Sequence, residues 1–422
     1  MLRNSGWIFT STGVVAVLSF FYLAILARSL GPAGFGLFAM IMATTRLMAA
    51  FLRFETWQTI VKFGVPHLLN QDREKFSSVA MRCLRLEIMG GLLASVAIYF
   101  IMQAVGAKFE WAPNLISVAT IMAIAIMLCP RSSARGILRV HDRFRDGALA
   151  DSMIPIGRMI GALIVLAIGP KLEYFLIVWA LAEILSTIVY WTMVKRNAPL
   201  DRAGMSRGKI ASLAEETSGF WNFFFNTNLV NFVASMREHL VVIIVGFFVG
   251  AAPAGLFRLA NQLANSLVRL SDIFARPLFT ELSRIYEGGD RPEFIRLFLR
   301  SLRMSTVSGI GVIILLVLLG KFILVLMAGE EFAGAYPLLV LLGAATAAGL
   351  IGLGLDPLLQ AAGRPHISTA IRLVALAVTM TGLALYLTKY GVMAAAASVF
   401  GGAIVTIILS LTFGIRLIRG MR

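Results

Sequence analysis

The positive charge of this chain is distributed in alternation, and that constrains its fold more than any other feature. About twelve apolar segments, each near the roughly 20 residues a helix needs to cross a bilayer, are joined by loops of two kinds. One kind is very short, with Arg28, Lys108, Lys171 and Lys389 set against Glu110, Glu173, Glu330 and Glu331. The other is basic throughout: Lys62, Arg73, Lys75, Arg82 and Arg85; Arg131 to Arg145; Lys195 to Lys209; Arg276 to Arg303; and Arg416, Arg419 and Arg422 at the end. Loops rich in Lys and Arg remain on the cytoplasmic side. The expected molecule is therefore a multi-pass membrane protein with both termini in the cytoplasm.

With 59% hydrophobic and 14% charged residues, the chain is far poorer in charge than a soluble domain. Its net charge of +16 calls for no nucleic acid, because basic loops gain roughly 1 kcal/mol per residue against anionic lipid. The two cysteines and four histidines are scattered, without metal-ligand spacing, and no metal or cofactor is expected. The spans are placed near 6–27, 36–54, 82–105, 113–130, 148–169 and 172–194, then near 218–249, 253–275, 304–328, 335–357, 366–388 and 391–415. The first reads as an uncleaved span rather than a signal peptide. The basic stretch 195–209, broken by Pro199 and glycines, reads as a linker between lobes 1–210 and 211–422.

The halves repeat. GPAGFGLF at 31–38 answers GAAPAGLF at 250–257, and DREKF at 72–76 answers DRPEF at 290–294, offsets of 219 and 218. Each half holds an even number of spans, so both have the same orientation. The expected architecture is all-α, two pseudo-symmetric six-helix bundles related about an axis along the membrane normal.

Charges within spans carry the functional signal, because a charge at the bilayer centre costs at least about 2.5–3.5 kcal/mol. Arginine dominates them, and guanidinium forks suit phosphate oxygens. In span 253–275, Arg258, Asn261, Gln262, Asn265, Arg269 and Asp272 recur at helical spacing as one stripe, either lining a substrate path or forming a polar seam. Arg237 in span 218–249 is a further candidate contact, with Glu238 and His239 as candidates for coupling to H+ or Na+, as is Asp272. Arg46, Arg53 and Arg372 read either as substrate contacts or as members of ion pairs between lobes. Arg158 and Glu183 are expected to pair with each other. No HExxH, GxSxG or Walker sequence appears, and no external loop exceeds about ten residues, which speaks against a glycan polymerase or ligase. A multidrug or cation antiporter would instead place acids and aromatics at membrane depth.

LARSLGPAGFGLFAM (26–40), VGFFVGAAPAGLFRLANQL (245–263), ARPLFTELSRI (275–285) and GILRVHDRF (136–144) resemble signatures of the polysaccharide flippases, within the multidrug/oligosaccharidyl-lipid/polysaccharide exporter superfamily. The resemblance implies a V-shaped, MATE-like carrier that works by alternating access as a monomer. It implies a polyprenyl-pyrophosphate-linked oligosaccharide as substrate, with the pyrophosphate held in a cationic cavity and transport often coupled to an ion gradient. In that scheme Arg46, Arg237, Arg258 and Arg269 fall on helices that face the cavity. Many relatives carry an Asp followed by Arg where this chain has Arg237 before Glu238, and some have fourteen spans.

Overall fold

The computed structural model describes residues 2–201, 203–204, 210, 218–269, 291–352 and 365–420. Within these, only the backbone is described for 2–16, 267–269, 291–295, 297–301, 304, 350–352, 365–366, 368–369 and 414–420. The described residues form α1 (Leu2–Leu52), α2 (Trp57–Leu69), α3 (Arg73–Lys108), α4 (Pro113–Met127), α5 (Ser132–Val140), α6 (Phe144–Ile168) and α7 (Leu172–Asn197). They continue as α8 (Phe220–Phe248), α9 (Ala251–Arg269), α10 (Arg291–Ala328), a 3-10 turn (Glu330–Ala335), α11 (Tyr336–Gly352), α12 (Pro365–Tyr390) and α13 (Val392–Gly420). There is no strand among the described residues.

The repeated motifs mark the helix boundaries. Asp72 caps α3 by accepting a hydrogen bond from the Lys75 N–H at 3.0 Å. In the second half α10 begins at Arg291, the equivalent of Arg73 at the start of α3 under the 218 offset. At the other motif, Gly31 breaks α1 with φ 63° and ψ 178°. Its repeat equivalent Gly250, just before α9, also has positive φ, 115°. A side chain would be strained at either position.

Two compact units result, one of Met1–Leu30 with Ile41–Leu240, the other of Gly31–Met40 with Val241–Arg422. In the first, α3 packs on α4, α4 on α7 and α6 on α7, with α2 and α5 packed together beside α3. In the second, α10 packs on α11, α11 on α13 and α12 on α13. The same three pairings thus recur, as the sequence repeat implies. The first unit runs past the expected boundary at 210. Phe220 and Phe224 of α8 are fully buried among Ile60, Phe76 and Tyr190, and Asn228 binds the backbone of Glu55. In the second unit the two repeat motifs meet each other. A Cβ on Gly36 would strike the Ala251 carbonyl, and one on its equivalent Gly255 would strike the Pro32 carbonyl. Glycine permits this close crossing, as small residues do at membrane helix interfaces.

Ten helices among the described residues are long and apolar enough to span a membrane, against about twelve expected. The difference has two physical sources. The first two expected spans lie in one helix, α1, which kinks at Gly31, and so form a single candidate span. Helix α9 is not among the ten, and it carries the polar stripe. Outward rows of Leu93, Val96 and Phe100 on α3, and of Leu318, Phe322 and Leu326 on α10, are all at least 60% exposed. Apolar surface of that extent needs a lipid covering.

Candidate functional site

Three helices of the first unit and the α4–α5 connection bring charge to one point. Glu183, on the inner face of α7 and 2% exposed, accepts from Arg46 of α1 at 2.5 Å and from Arg158 of α6 at 2.9 Å, both through Oε1. Its Oε2 accepts from Arg131, in the α4–α5 connection, at 2.8 Å. Trp179 lies one turn earlier on α7, so its ring shares that face. The Arg158 guanidinium sits 3.6 Å from the ring centroid and that of Arg46 5.5 Å, within cation–π range. Three guanidinium groups against one carboxylate leave a net charge of +2.

Arg53, two turns along α1 from Arg46, is spent differently. Its Nη1 donates to the Ile126 carbonyl at 2.8 Å and the Cys129 carbonyl at 3.5 Å, at the C-terminal end of α4, where a cation suits the helix dipole. Two donors beside the cluster lack hydrogen-bond partners among the described residues: Nε of Arg158 and the buried hydroxyl of Tyr22. Tyr22 lies close enough to feel the charge of Arg158.

A second buried carboxylate fixes the frame. Glu87 of α3, 1% exposed, accepts from the Ser132 N–H and the Ser133 N–H, both at 2.8 Å, and from Ser133 Oγ at 2.6 Å. It thereby caps the start of α5, where backbone N–H groups would otherwise be orphaned. Ser132 Oγ in turn accepts from the Thr56 N–H at 2.9 Å and the Trp57 N–H at 3.1 Å, joining α5 to the start of α2. Arg131 is the residue before this cap. Counting Arg53 and Glu87 together with the cluster adds one charge of each sign and leaves the excess at +2.

The sequence-derived candidates fall out as follows. The expected pair Arg158–Glu183 is present, and Arg46 joins it, inside one unit. Arg237 and Glu238 are exposed on α8, and His239 is half-buried. On α9, Arg258, Asn261, Gln262 and Asn265 are half-exposed along one side while Leu259, Ala260 and Ala264 are fully buried. The Asn265 amide donates to Asn261 Oδ1 at 3.2 Å. Arg269 is described in backbone only, and Asp272 lies outside the described residues. Arg372 is exposed on α12. Arg131, Glu87, Trp179 and Tyr22 had not been singled out. Glu87 offered a signal, being an acid inside a long apolar segment, whereas Arg131 was counted only as loop charge. Among the described residues, no group of three or more His, Cys, Asp or Glu side chains comes together to hold a metal ion.

Residues 1–282 match the family model described as polysaccharide biosynthesis protein. The chain belongs to that family. Among curated proteins it is similar to the inner membrane protein YghQ of Escherichia coli (strain K12), 25% identical over 345 residues that cover 80% of this chain and 95% of the relative. Among solved structures it is similar to an inward-facing multidrug resistance MATE family transporter of the MOP superfamily. There the TM-score is 0.77 at 15% identity, with 96% of this chain and 95% of that one covered. It is likewise similar to the lipid II flippase MurJ in an inward closed conformation, with a TM-score of 0.75 at 16% identity, covering 96% and 87%. These likenesses establish the fold of this family member as that of the two-bundle carriers.

Proposed function

We propose that the protein is a flippase that moves a polyprenyl-pyrophosphate-linked oligosaccharide across the bacterial cytoplasmic membrane by alternating access. The observation that carries the reading is the unbalanced cluster at Glu183. Excess positive charge within membrane-length helices is expensive. A mobile anion that comes and goes offsets that cost, and a diphosphate has the charge and the oxygen geometry to do so. Family membership directs the reading to glycan assembly, and the carriers sharing its fold include a lipid II flippase. The E. coli relative's location supports the inner membrane, with the basic loops and both termini on the cytoplasmic side.

In this mechanism Arg46, with Arg131 and Arg158 behind it, receives the pyrophosphate. Arg53, Arg237, Arg258, Asn265, Arg269 and Arg372 are further contacts for headgroup and sugars, and the lipid tail stays in the bilayer. The bodies that rock are the N-terminal and C-terminal lobes, the working unit is a monomer, and Glu238, His239 and Asp272 are the candidates for coupling to H+ or Na+. A multidrug or cation antiporter of the same superfamily calls for the opposite sign of charge. The test is reconstitution into vesicles with a labelled pyrophosphate-linked oligosaccharide lipid, scoring transfer between leaflets with and without an imposed pH difference. Transfer above that of protein-free vesicles supports the reading; none under either condition overturns it.

A further inference from the structure

Glu183 is placed oddly for a residue whose only task is neutralisation. One carboxylate serves three arginines drawn from three segments, with both of its oxygens engaged. A buried ion pair that serves packing alone is balanced, because each uncompensated charge adds a desolvation cost. Here the carboxylate presents two oxygens to a fan of guanidinium groups, the arrangement a phosphate would adopt.

The cluster is also built to survive its departure. Arg158 keeps the Trp179 ring at 3.6 Å, and Arg46 has the same ring at 5.5 Å. Arg131 precedes the serine pair that Glu87 holds. Arg46 is the most accessible member, 27% exposed against 17% for Arg158 and 13% for Arg131, so an incoming anion meets it first. The spare Nε of Arg158 adds a donor that Glu183 does not use.

We propose that Glu183 is an internal competitor for the headgroup, a resident counter-anion that the arginines exchange for the substrate's diphosphate and that sets how readily the diphosphate leaves. This rests on the carrier reading above. Binding is then a swap of one anion for another rather than an addition. With Glu183 as rival the site binds loosely enough to turn over; without it the anion is held too tightly, and a carrier needs binding weak enough to release.

The test uses full-length protein in lipid nanodiscs titrated with inorganic pyrophosphate, paired with the leaflet-transfer assay. Glu183→Gln should bind pyrophosphate about tenfold tighter than the wild type, the low end of coupling measured for close charge pairs, while transfer slows. The double variant Arg158→Gln/Glu183→Gln restores the net +2 and guards against misfolding in the single variant; it too should bind more tightly than the wild type. Unchanged or weaker binding in a folded variant overturns the proposal and leaves the carrier reading standing, with Glu183 a positioning residue. Failure of both variants to fold makes Glu183 a structural keystone and equally overturns it. If the wild type neither binds pyrophosphate nor transfers the lipid, the carrier reading itself falls.

Discussion

Replacing Glu87 tests a carboxylate with a structural role, apart from the cluster at Glu183. Glu87→Leu leaves the Ser132 and Ser133 N–H groups without their acceptor, whereas the Ser133 hydroxyl can turn to Thr56 Oγ1, 2.9 Å away. A buried donor left unsatisfied costs about 1–3 kcal/mol, so two cost about 2–6 kcal/mol. Leaving a charge out of the interior offsets part of this, and a net loss of about 1–4 kcal/mol is expected. Glu87→Gln keeps one acceptor oxygen but turns an amide NH2 toward a donor, so about 1–3 kcal/mol is lost. Denaturant unfolding of the purified protein in detergent measures both. Hydrogen exchange localises the effect, with the Ser132 and Ser133 amides exchanging faster in each variant. If both variants lie within about 0.5 kcal/mol of the wild type, the range of ordinary surface changes, the assignment of Glu87 as the cap of α5 is wrong.

Gly36→Ala forces a Cβ into the Ala251 backbone. It should destabilise the protein by about 1–3 kcal/mol, measured by thermal unfolding in detergent, while unchanged stability would contradict the close crossing of the two repeat motifs. The Lys75 backbone N–H and the nearby Lys75 ammonium hold the Asp72 carboxyl below the usual carboxylate range. A depressed value means the cap is present above the ordinary carboxylate pKa and is lost as the pH falls through the lower, folded value. Exchange at the first amides of α3 should therefore stay slow down to mildly acid pH and rise only below it; Asp72→Asn should remove that pH dependence. Arg258→Ala and Arg269→Ala should each abolish glycan export while folded protein still accumulates in the membrane, and normal export by both would make the α9 stripe purely structural.

Much of the architecture was legible because membrane folding leaves few choices. Apolar length defines most of the spans. The repeated glycine motifs mark where α1 breaks and where α9 starts, since positive φ and close backbone approach both require glycine. The pairing of Arg158 with Glu183 was also legible, as base and acid stand at similar depth in adjacent spans. What could not be read was convergence. Arg46 and Glu183 are 137 positions apart, and nothing local indicates that they meet. Glu87 was hidden because it binds mainly backbone N–H groups and serines of a short helix, a pattern with no signature in residue type. The attachment of the first part of α8 to the first unit was invisible for a related reason. It follows from Phe220, Phe224 and Asn228 finding partners around Ile60 and Glu55, whereas chain order places them after the linker.

An arginine cluster two carboxylates short of neutrality is proposed to handle an anionic headgroup. The most direct measurement compares two lipids in the vesicle assay, one pyrophosphate-linked and one with a neutral headgroup, for the wild type and Arg46→Gln. Transfer of the pyrophosphate lipid alone is expected, with a fall of about tenfold or more in Arg46→Gln from the loss of one charge-assisted hydrogen bond. Equal transfer of both lipids, or an Arg46→Gln variant as fast as the wild type, would contradict it.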